Sequence, residues 1–221
     1  MRSFTQTIPK ALIPVLDIPF AHYQLQYLAK QGFRDVVYSI GYLGEQIREY
    51  VGDGSTWGLK VTYVDEGKNL LGTGGAIRFA IDQKLMAEAF FVTYGDAFLQ
   101  VDYQGIYNSF LKSTYPALMT VFKNKGLWDK SNVNFDGKMV TRYNKTDPGN
   151  ADHIDYGVLC FRRQTIIDRI PSAHAIDLAA TLQRLSEEGL LMGFEAKERF
   201  YEIGSPQGLS DFEAKLQSSG R

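Results

Sequence analysis

Cysteine is almost absent from this chain. Cys160 is the only one in 221 residues, which excludes an internal disulfide framework and fits a reducing compartment. Set in Val158-Leu159-Cys160-Phe161, it reads as a small buried apolar residue. Histidine is scarce too, and His22, His153 and His174 show no metal-ligand spacing. Neither sign of charge dominates: 24 Lys and Arg face 25 Asp and Glu, so no net field draws the protein to nucleic acid or anionic lipid. Any phosphate binding must therefore be local. No apolar run approaches the ~20 residues that span a bilayer. The first apolar stretch, residues 11–20, is broken by Pro14, Asp17 and Pro19 and does not read as a secretory signal. A Gly-x-Ser-x-Gly elbow, a Walker loop and a basic stripe with interleaved aromatics are all missing. The expectation is a cytoplasmic protein with no nucleic-acid or membrane partner.

What is present is enough apolar sequence, 44% of residues, to bury one sizeable core within a single large domain. Strand-like and helix-like segments alternate through residue 123. Residues 20–30 predict a helix that places Phe20, Tyr23, Leu25, Tyr27 and Leu28 largely on one side and ends at Gly32. Residues 35–40 predict a strand, 45–51 a helix stopped by Gly52-Asp53-Gly54, and 60–64 a second strand. A Gly-rich turn at 71–75 opens a helix through Ala80 or beyond. Strands follow at 90–94 and 117–122, with a helix near 103–113 between them. This βαβ succession implies a mostly parallel sheet with helices on both faces. Beyond Lys123 the pattern changes to short strands at 132–135, 139–143 and 154–161, with Asp136-Gly137 as a turn signal. Helices at 163–170 and 178–188, strands at 191–196 and 201–203, and a helix at 206–216 complete the chain. The fold class is α/β, Rossmann-like, with a small antiparallel insertion.

Four segments carry candidate chemistry. Leu71-Gly72-Thr73-Gly74-Gly75-Ala76 lies between a strand and a helix, where glycines let backbone approach a ligand and a helix N-terminus offers N–H groups; a plain tight turn explains it equally well. Tyr94-Gly95-Asp96 closes an apolar strand and puts a carboxylate at the edge where open α/β sheets bind ligands. A carboxylate there suits Mg²⁺, although a loop aspartate or helix cap fits the same sequence. Glu202, between Tyr201 and Ile203, is a charge in apolar company, which calls for a partner or a metal unless solvent reaches it. Arg2, Lys10 and Lys145 are candidate phosphate contacts, each an ordinary surface cation when taken alone.

Taken in order, these segments resemble the sugar-phosphate nucleotidylyltransferases. In that family a first strand enters a loop of the form Gly-Gly-x-Gly-Thr-Arg-x-Arg, followed by Pro-Lys-x-x-x-Pro-Val. Arg2 resembles the last arginine of that signature, and Pro9-Lys10-Ala11-Leu12-Ile13-Pro14-Val15 its continuation. Leu71 to Ala76, Gly95-Asp96, Ser131-Asn132-Val133, Tyr143-Asn144-Lys145, Ile154-Asp155-Tyr156-Gly157 and Glu202-Ile203-Gly204-Ser205-Pro206 then fall in family order. The resemblance implies transfer of a nucleotidyl group from a nucleoside triphosphate to a sugar 1-phosphate, giving a nucleotide sugar and pyrophosphate with Mg²⁺ as cofactor. It assigns phosphate contact to Lys10 and Arg2, nucleotide binding to Gly72, Thr73, Gly74 and Gly75, and metal binding to Asp96 and Glu202. Lys145 would bind the phosphate of the sugar phosphate, and Tyr156 and Gly157 would line the sugar pocket. Residues 1–123 would form the nucleotide-binding half and 124–221 the sugar-phosphate-binding half, with homo-oligomerisation left open.

Two positions depart from the family pattern. The second metal ligand, commonly aspartate, is Glu202, and the residue before Lys145, often acidic, is Asn144. The first strand and the Gly-rich loop that precede Arg2 in the family are also not in this sequence. The expectation is that Met1 is internal to a longer protein, with about 15 to 25 further residues encoding one strand and the loop. A heptose 1-phosphate and GTP are the favoured substrates from the run of motifs. Two other readings fit parts of the pattern: a non-catalytic module that binds nucleotide or sugar phosphate, and a glycosyltransferase of related fold. The second should carry an Asp-x-Asp motif, which Gly95-Asp96-Ala97-Phe98 does not supply.

Overall fold

The computed structural model describes residues 7–128, 130–147 and 149–218, so Arg2 lies outside the described residues. The first elements are β1 (Pro14–Val15), β2 (Ile18–Pro19), α1 (Phe20–Lys30), β3 (Asp35–Ile40), α2 (Gly44–Val51), β4 (Lys60–Asp65), α3 (Gly72–Asp82), β5 (Ala89–Thr93), β6 (Ala97–Phe98) and α4 (Tyr103–Lys112). There follow β7 (Ala117–Lys123), β8 (Val133–Phe135), β9 (Val140–Tyr143), β10 (His153–Arg162), α5 (Arg163–Arg169), α6 (Leu178–Glu187), β11 (Leu191–Ala196), β12 (Tyr201–Glu202) and α7 (Pro206–Ser218). The expected α/β alternation is present. Contacts divide the chain into two compact units. One takes the chain up to Asn69 with Tyr94–Leu99 and everything from Phe200; the other takes Leu70–Thr93 and Gln100–Arg199.

In the first unit, β3 and β4 pair in parallel from Asp35 opposite Lys60 to Ile40 opposite Asp65, joined through α2 as a βαβ crossover requires. Helix α1 starts after Pro19, whose fixed φ suits a helix entry, and ends before Gly32 at φ +89°. It buries Phe20, Ala21, Gln24 and Leu25. Tyr23 and Tyr27 of the predicted face pack half-buried against a core that holds Phe20, Leu28 is also half-buried, and a glutamine takes an interior position that the apolar spacing does not assign. One core packs Ala21 and Leu25 against Val51, Leu59 and Val61. A second gathers Ile13, Val15, Phe20, Phe98, Tyr201 and Ile203 around Phe212 of α7, whose ring centroid is 5.5 Å from that of Phe20 and 4.8 Å from that of Phe98. Fully burying such a side chain stabilises by about 1.5–3 kcal/mol. Antiparallel pairing of β12 with β6 places Glu202 opposite Ala97.

The second unit is built on a six-stranded mixed sheet in the order β11-β7-β10-β8-β9, with β5 also on β10. Strand β11 runs parallel to β7, while β10 is antiparallel to β5 and β7. The predicted Asp136-Gly137 turn joins β8 to β9: the Asp136 carboxylate accepts the N–H groups of Lys138 and Met139, and Gly137 takes φ +98°. The short strand expected at 154–161 is instead ten residues long and central. It carries a bulge, because Asp155 pairs with Val121 and Leu159 with Met119, leaving three residues opposite the fully buried Thr120. The Thr120 hydroxyl receives the Val158 N–H at 3.2 Å and donates to the Val158 carbonyl at 2.8 Å, replacing the ladder bonds that the bulge removes. Helices α3, α5 and α6 supply Ile81, Ile166 and Leu182 to the core against Met119, Leu159 and Phe161.

Candidate functional site

The first unit gathers three of the predicted residues. Lys10 opens a short 3-10 helix, Lys10–Leu12, after the extended Pro9. Its Nζ lies 2.8 Å from Oδ2 of Asp96, and both side chains remain partly exposed. Asp96 sits in a turn closed by the Ala97 N–H on the Tyr94 carbonyl, and its own carbonyl accepts the Ile203 N–H at 3.0 Å. That bond and the β6–β12 pairing bring Glu202 beside the turn. A methyl built on Gly204 would lie 3.6 Å from Oε1 of Glu202 and 3.8 Å from Nζ of Lys10, so both groups border the space over Gly204. The pair is solvent-accessible, which keeps its contribution to stability within about 0–1 kcal/mol. Its interest is chemical.

Gln24 was not singled out from the sequence and is the support of this turn. Its Nε2 donates to the carbonyls of Tyr94 and Ala97, both at 2.9 Å, fixing the turn on either side of Gly95-Asp96. Its Oε1 accepts from the Tyr38 hydroxyl at 3.4 Å. The sequence signal was a polar residue at a helix position whose neighbours face inward.

The donor chemistry, carboxylates beside one turn, is of the kind that a hard divalent cation takes. Asp96 and Glu202 supply two carboxylates, while no group of three or more His, Cys, Asp or Glu among the described residues could hold a metal by itself. Two carboxylates with the remaining positions left to phosphate oxygens and water is the usual arrangement for Mg²⁺.

The second unit holds the remaining candidates. Gly72 opens α3 at φ +68°, and the reason for the glycines is close packing against residues 174–178. Added methyl groups would lie 2.8 Å from the Ile176 carbonyl oxygen at Gly72, 3.0 Å from the same atom at Gly74, and 2.4 Å from the His174 carbonyl oxygen at Gly75. The N–H groups of Gly74 and Gly75 donate to that Ile176 carbonyl at 2.8 and 3.2 Å, and the Ile176 N–H returns to the Leu71 carbonyl at 2.8 Å. Thr73 serves the start of α6: its hydroxyl donates to Asp177 Oδ1 at 3.2 Å and accepts the Leu178 N–H at 3.0 Å.

Lys145, exposed after β9, lies close enough to the carboxyl of Asp155 to favour its charged form. Burial is the larger influence and raises the Asp155 pKa above the ordinary carboxylate value, against the Gly157 N–H bond, Lys145 and the Tyr143 hydroxyl. Oδ1 of Asp155 accepts the Gly157 N–H at 3.0 Å, Oδ2 accepts from Tyr143 at 3.4 Å, and the Asp155 N–H donates to Oδ1 of Asn132 at 2.9 Å. Gly157 takes φ +98° within the bulge. Tyr156 is 2% exposed, its hydroxyl donating to the carbonyls of Gln100 and Arg199 at 3.4 and 3.5 Å. In the sequence Asn132, Tyr143 and Asp155 stand only as parts of motifs, and the fold joins them by hydrogen bonds.

The profile of the nucleotidyl transferase family matches residues 1–127, more than half of the sequence. The chain belongs to that family. As a nucleotidyl transferase family member it is 26% identical over 211 residues to UTP–glucose-1-phosphate uridylyltransferase of Synechocystis sp., covering 86% of this chain and 53% of that protein. It is 37% identical over 102 residues to D-glycero-alpha-D-manno-heptose 1-phosphate guanylyltransferase of Campylobacter jejuni, covering 46% of this chain and 44% of that protein. The chain thus matches about half the length of these relatives. Among solved structures, HddC from Yersinia pseudotuberculosis superimposes with a TM-score of 0.78 at 24% identity, covering 95% of this chain and 90% of that one. The inositol-1-phosphate CTP transferase from T. maritima gives 0.77 at 20% identity, covering 99% and 89%. At these identities the likeness establishes the shared α/β fold.

Proposed function

We propose that this nucleotidyl transferase family member transfers a nucleotidyl group from a nucleoside triphosphate to a sugar 1-phosphate, releasing pyrophosphate and forming a nucleotide sugar. The observation that carries the reading is the Lys10–Asp96 ion pair at 2.8 Å beside Glu202, a cation and two carboxylates that suit a metal-bound polyphosphate. In the reaction a phosphate oxygen of the sugar 1-phosphate attacks the α-phosphorus. The bond from that phosphorus to the bridging oxygen breaks, and its electron pair leaves with pyrophosphate. The nucleophile is already anionic, so no side chain need accept a proton. What the residues must do is position two like-charged phosphates and neutralise them.

Lys10 would neutralise phosphate charge, and Asp96 and Glu202 would hold Mg²⁺, which when bound offsets charge on the reacting and leaving phosphates. Arg2 would add a second cation for the nucleotide. Gly72, Thr73, Gly74 and Gly75 are proposed to border the nucleotide, Lys145 to bind the sugar phosphate, and Tyr156 and Gly157 to bound the sugar. On this reading the nucleotide falls to residues 1–123 and the sugar phosphate to 124–221, a division by ligand distinct from the two compact units. Heptose 1-phosphate with GTP is the first pair to test, because relatives of that description match at 37% identity over 102 residues and 30% over 155. An activated sugar of this kind would serve cell-surface polysaccharide synthesis in the cytoplasm. No helix among the described residues is long and apolar enough to cross a membrane.

The test is pyrophosphate release by the full-length protein with Mg²⁺ across a panel of triphosphates and sugar 1-phosphates. Turnover by one pair, lost in Asp96→Asn and Glu202→Gln, supports the reading. Binding of a triphosphate without pyrophosphate release from any pair would refute catalysis and leave a binding module.

A further inference from the structure

Glycine is retained for one of two structural reasons: a left-handed backbone, or a neighbour too close for a side chain. Most glycines with described surroundings meet one of them. Gly72 has φ +68°; Gly44, Gly74 and Gly75 would bring a methyl to 2.9, 3.0 and 2.4 Å of a neighbour; Gly208 would bring one to 2.0 Å of the Glu202 carbonyl oxygen. Gly95 and Gly204 meet neither. Gly95 is not left-handed and has nothing within 4 Å of an added methyl. Gly204 is not left-handed, and its added methyl makes only ordinary contacts, 3.6 Å from Glu202 Oε1 and 3.8 Å from Lys10 Nζ. These two glycines precede Asp96 and follow Glu202, and both belong to the first compact unit. Two glycines that the fold does not require to be glycine thus stand next to the proposed metal carboxylates.

We propose that Gly95 and Gly204 are positioning residues that hold the volume over Lys10, Asp96 and Glu202 open for the phosphates of a nucleoside triphosphate and their divalent cation. This rests on the function proposed above and deepens it. A methyl on Gly204 would stand beside the ammonium of Lys10 and a Glu202 oxygen, occupying space that a phosphate oxygen or a cation-bound water would need. A methyl on Gly95 would stand in the open space beside the turn that carries Asp96. The cost of either falls on the ligand and not on the fold.

The experiment compares the wild-type chain with Gly95→Ala, Gly204→Ala and Gly208→Ala. Thermal midpoints are measured first. Then the dissociation constants of GTP, CTP, UTP, ATP and dTTP are determined by calorimetry with Mg²⁺, followed by a Mn²⁺ titration monitored by electron paramagnetic resonance. Alanine at 95 and 204 should leave the midpoint unchanged or slightly raised, since the substitution lowers the entropy of the unfolded chain. The triphosphate bound best by the wild type should weaken about tenfold, which is ~1.4 kcal/mol, and Mn²⁺ should weaken with it. Gly208→Ala should lower the midpoint, confirming that crowding around an added methyl registers as lost stability. If the wild type binds a triphosphate and both alanine variants bind it equally well, the inference is overturned while the functional reading stands. A large drop in midpoint for Gly95→Ala and Gly204→Ala also overturns it, because the fold would then explain the glycines. If the wild type binds none of the five triphosphates, the functional reading falls and takes the inference with it.

Discussion

Substituting Gly75 by alanine distinguishes packing from ligand binding as the reason for the Gly-rich turn. The added methyl would lie 2.4 Å from the His174 carbonyl oxygen and 2.9 Å from Cβ of Leu71, where real Cβ contacts essentially never fall below 3.0 Å. The obstacle at 174 is backbone, so no rotamer change relieves it; either the N-terminus of α3 or residues 174–178 must move. Moving them lengthens the bonds from Gly74 and Gly75 to Ile176 and from Ile176 to Leu71. Overpacking costs about 1–3 kcal/mol, and each weakened hydrogen bond up to about 1 kcal/mol. Alanine in a helix returns about 1 kcal/mol relative to glycine. With overpacking near the top of its range, because the obstacle is backbone, and up to three bonds weakened, the net expectation is a destabilisation of about 2–5 kcal/mol. For a chain of this size each kcal/mol moves the thermal midpoint by about 2–4 °C, so the midpoint should fall by roughly 4–20 °C, read by circular dichroism. An unchanged midpoint, accompanied by weaker triphosphate binding, would refute the packing argument and return the glycine to the ligand.

Three further outcomes follow from individual side chains. Gln24→Leu keeps the volume in α1 but removes the two bonds that hold the Asp96 turn; turnover should drop at least tenfold with the metal requirement shifted to higher Mg²⁺, and a variant with unaltered Mg²⁺ dependence would show that the turn holds itself. The pKa of Asp155 is raised by burial, so the folded state keeps this proton at pH values where the unfolded chain has lost it, and stability conferred below that window declines as pH rises through it. Relative to Asp155→Asn, the wild type should therefore lose thermal stability as pH rises above the ordinary carboxylate range; parallel curves for the two proteins would contradict this. The Cys160 thiol is fully buried and its pKa is pushed up by burial, so a disulfide reagent should label it only in denaturant, and rapid labelling of the native protein would show that β10 opens.

Much of the chain's local structure was legible because local rules act within a few residues. Pro19 and Gly32 bracket α1, Asp136-Gly137 makes its turn, and the alternation of β and α segments gives the fold class. Gln24 was not legible: it lies on a helix whose apolar spacing points to Tyr23 and Tyr27, and only the turn at 94–97 explains why a glutamine is worth burying. The bulge in β10 was equally hidden, since Ile154 to Phe161 reads as an ordinary strand until Thr120 is found opposite it. The Gly-rich turn was visible but ambiguous, because glycine signals close approach without saying by what.

By itself, the sequence determined the order of elements and the run of motifs in which Lys10, Asp96, Lys145 and Glu202 stand out. Those are properties of composition and of neighbours along the chain. Tertiary structure decided that Lys10 pairs with Asp96, that Glu202 reaches them through β6 and β12, and that Gly72 to Gly75 meet residues 174–178. Such contacts join segments tens of residues apart, and their closure depends on strand register and core packing that no local spacing encodes.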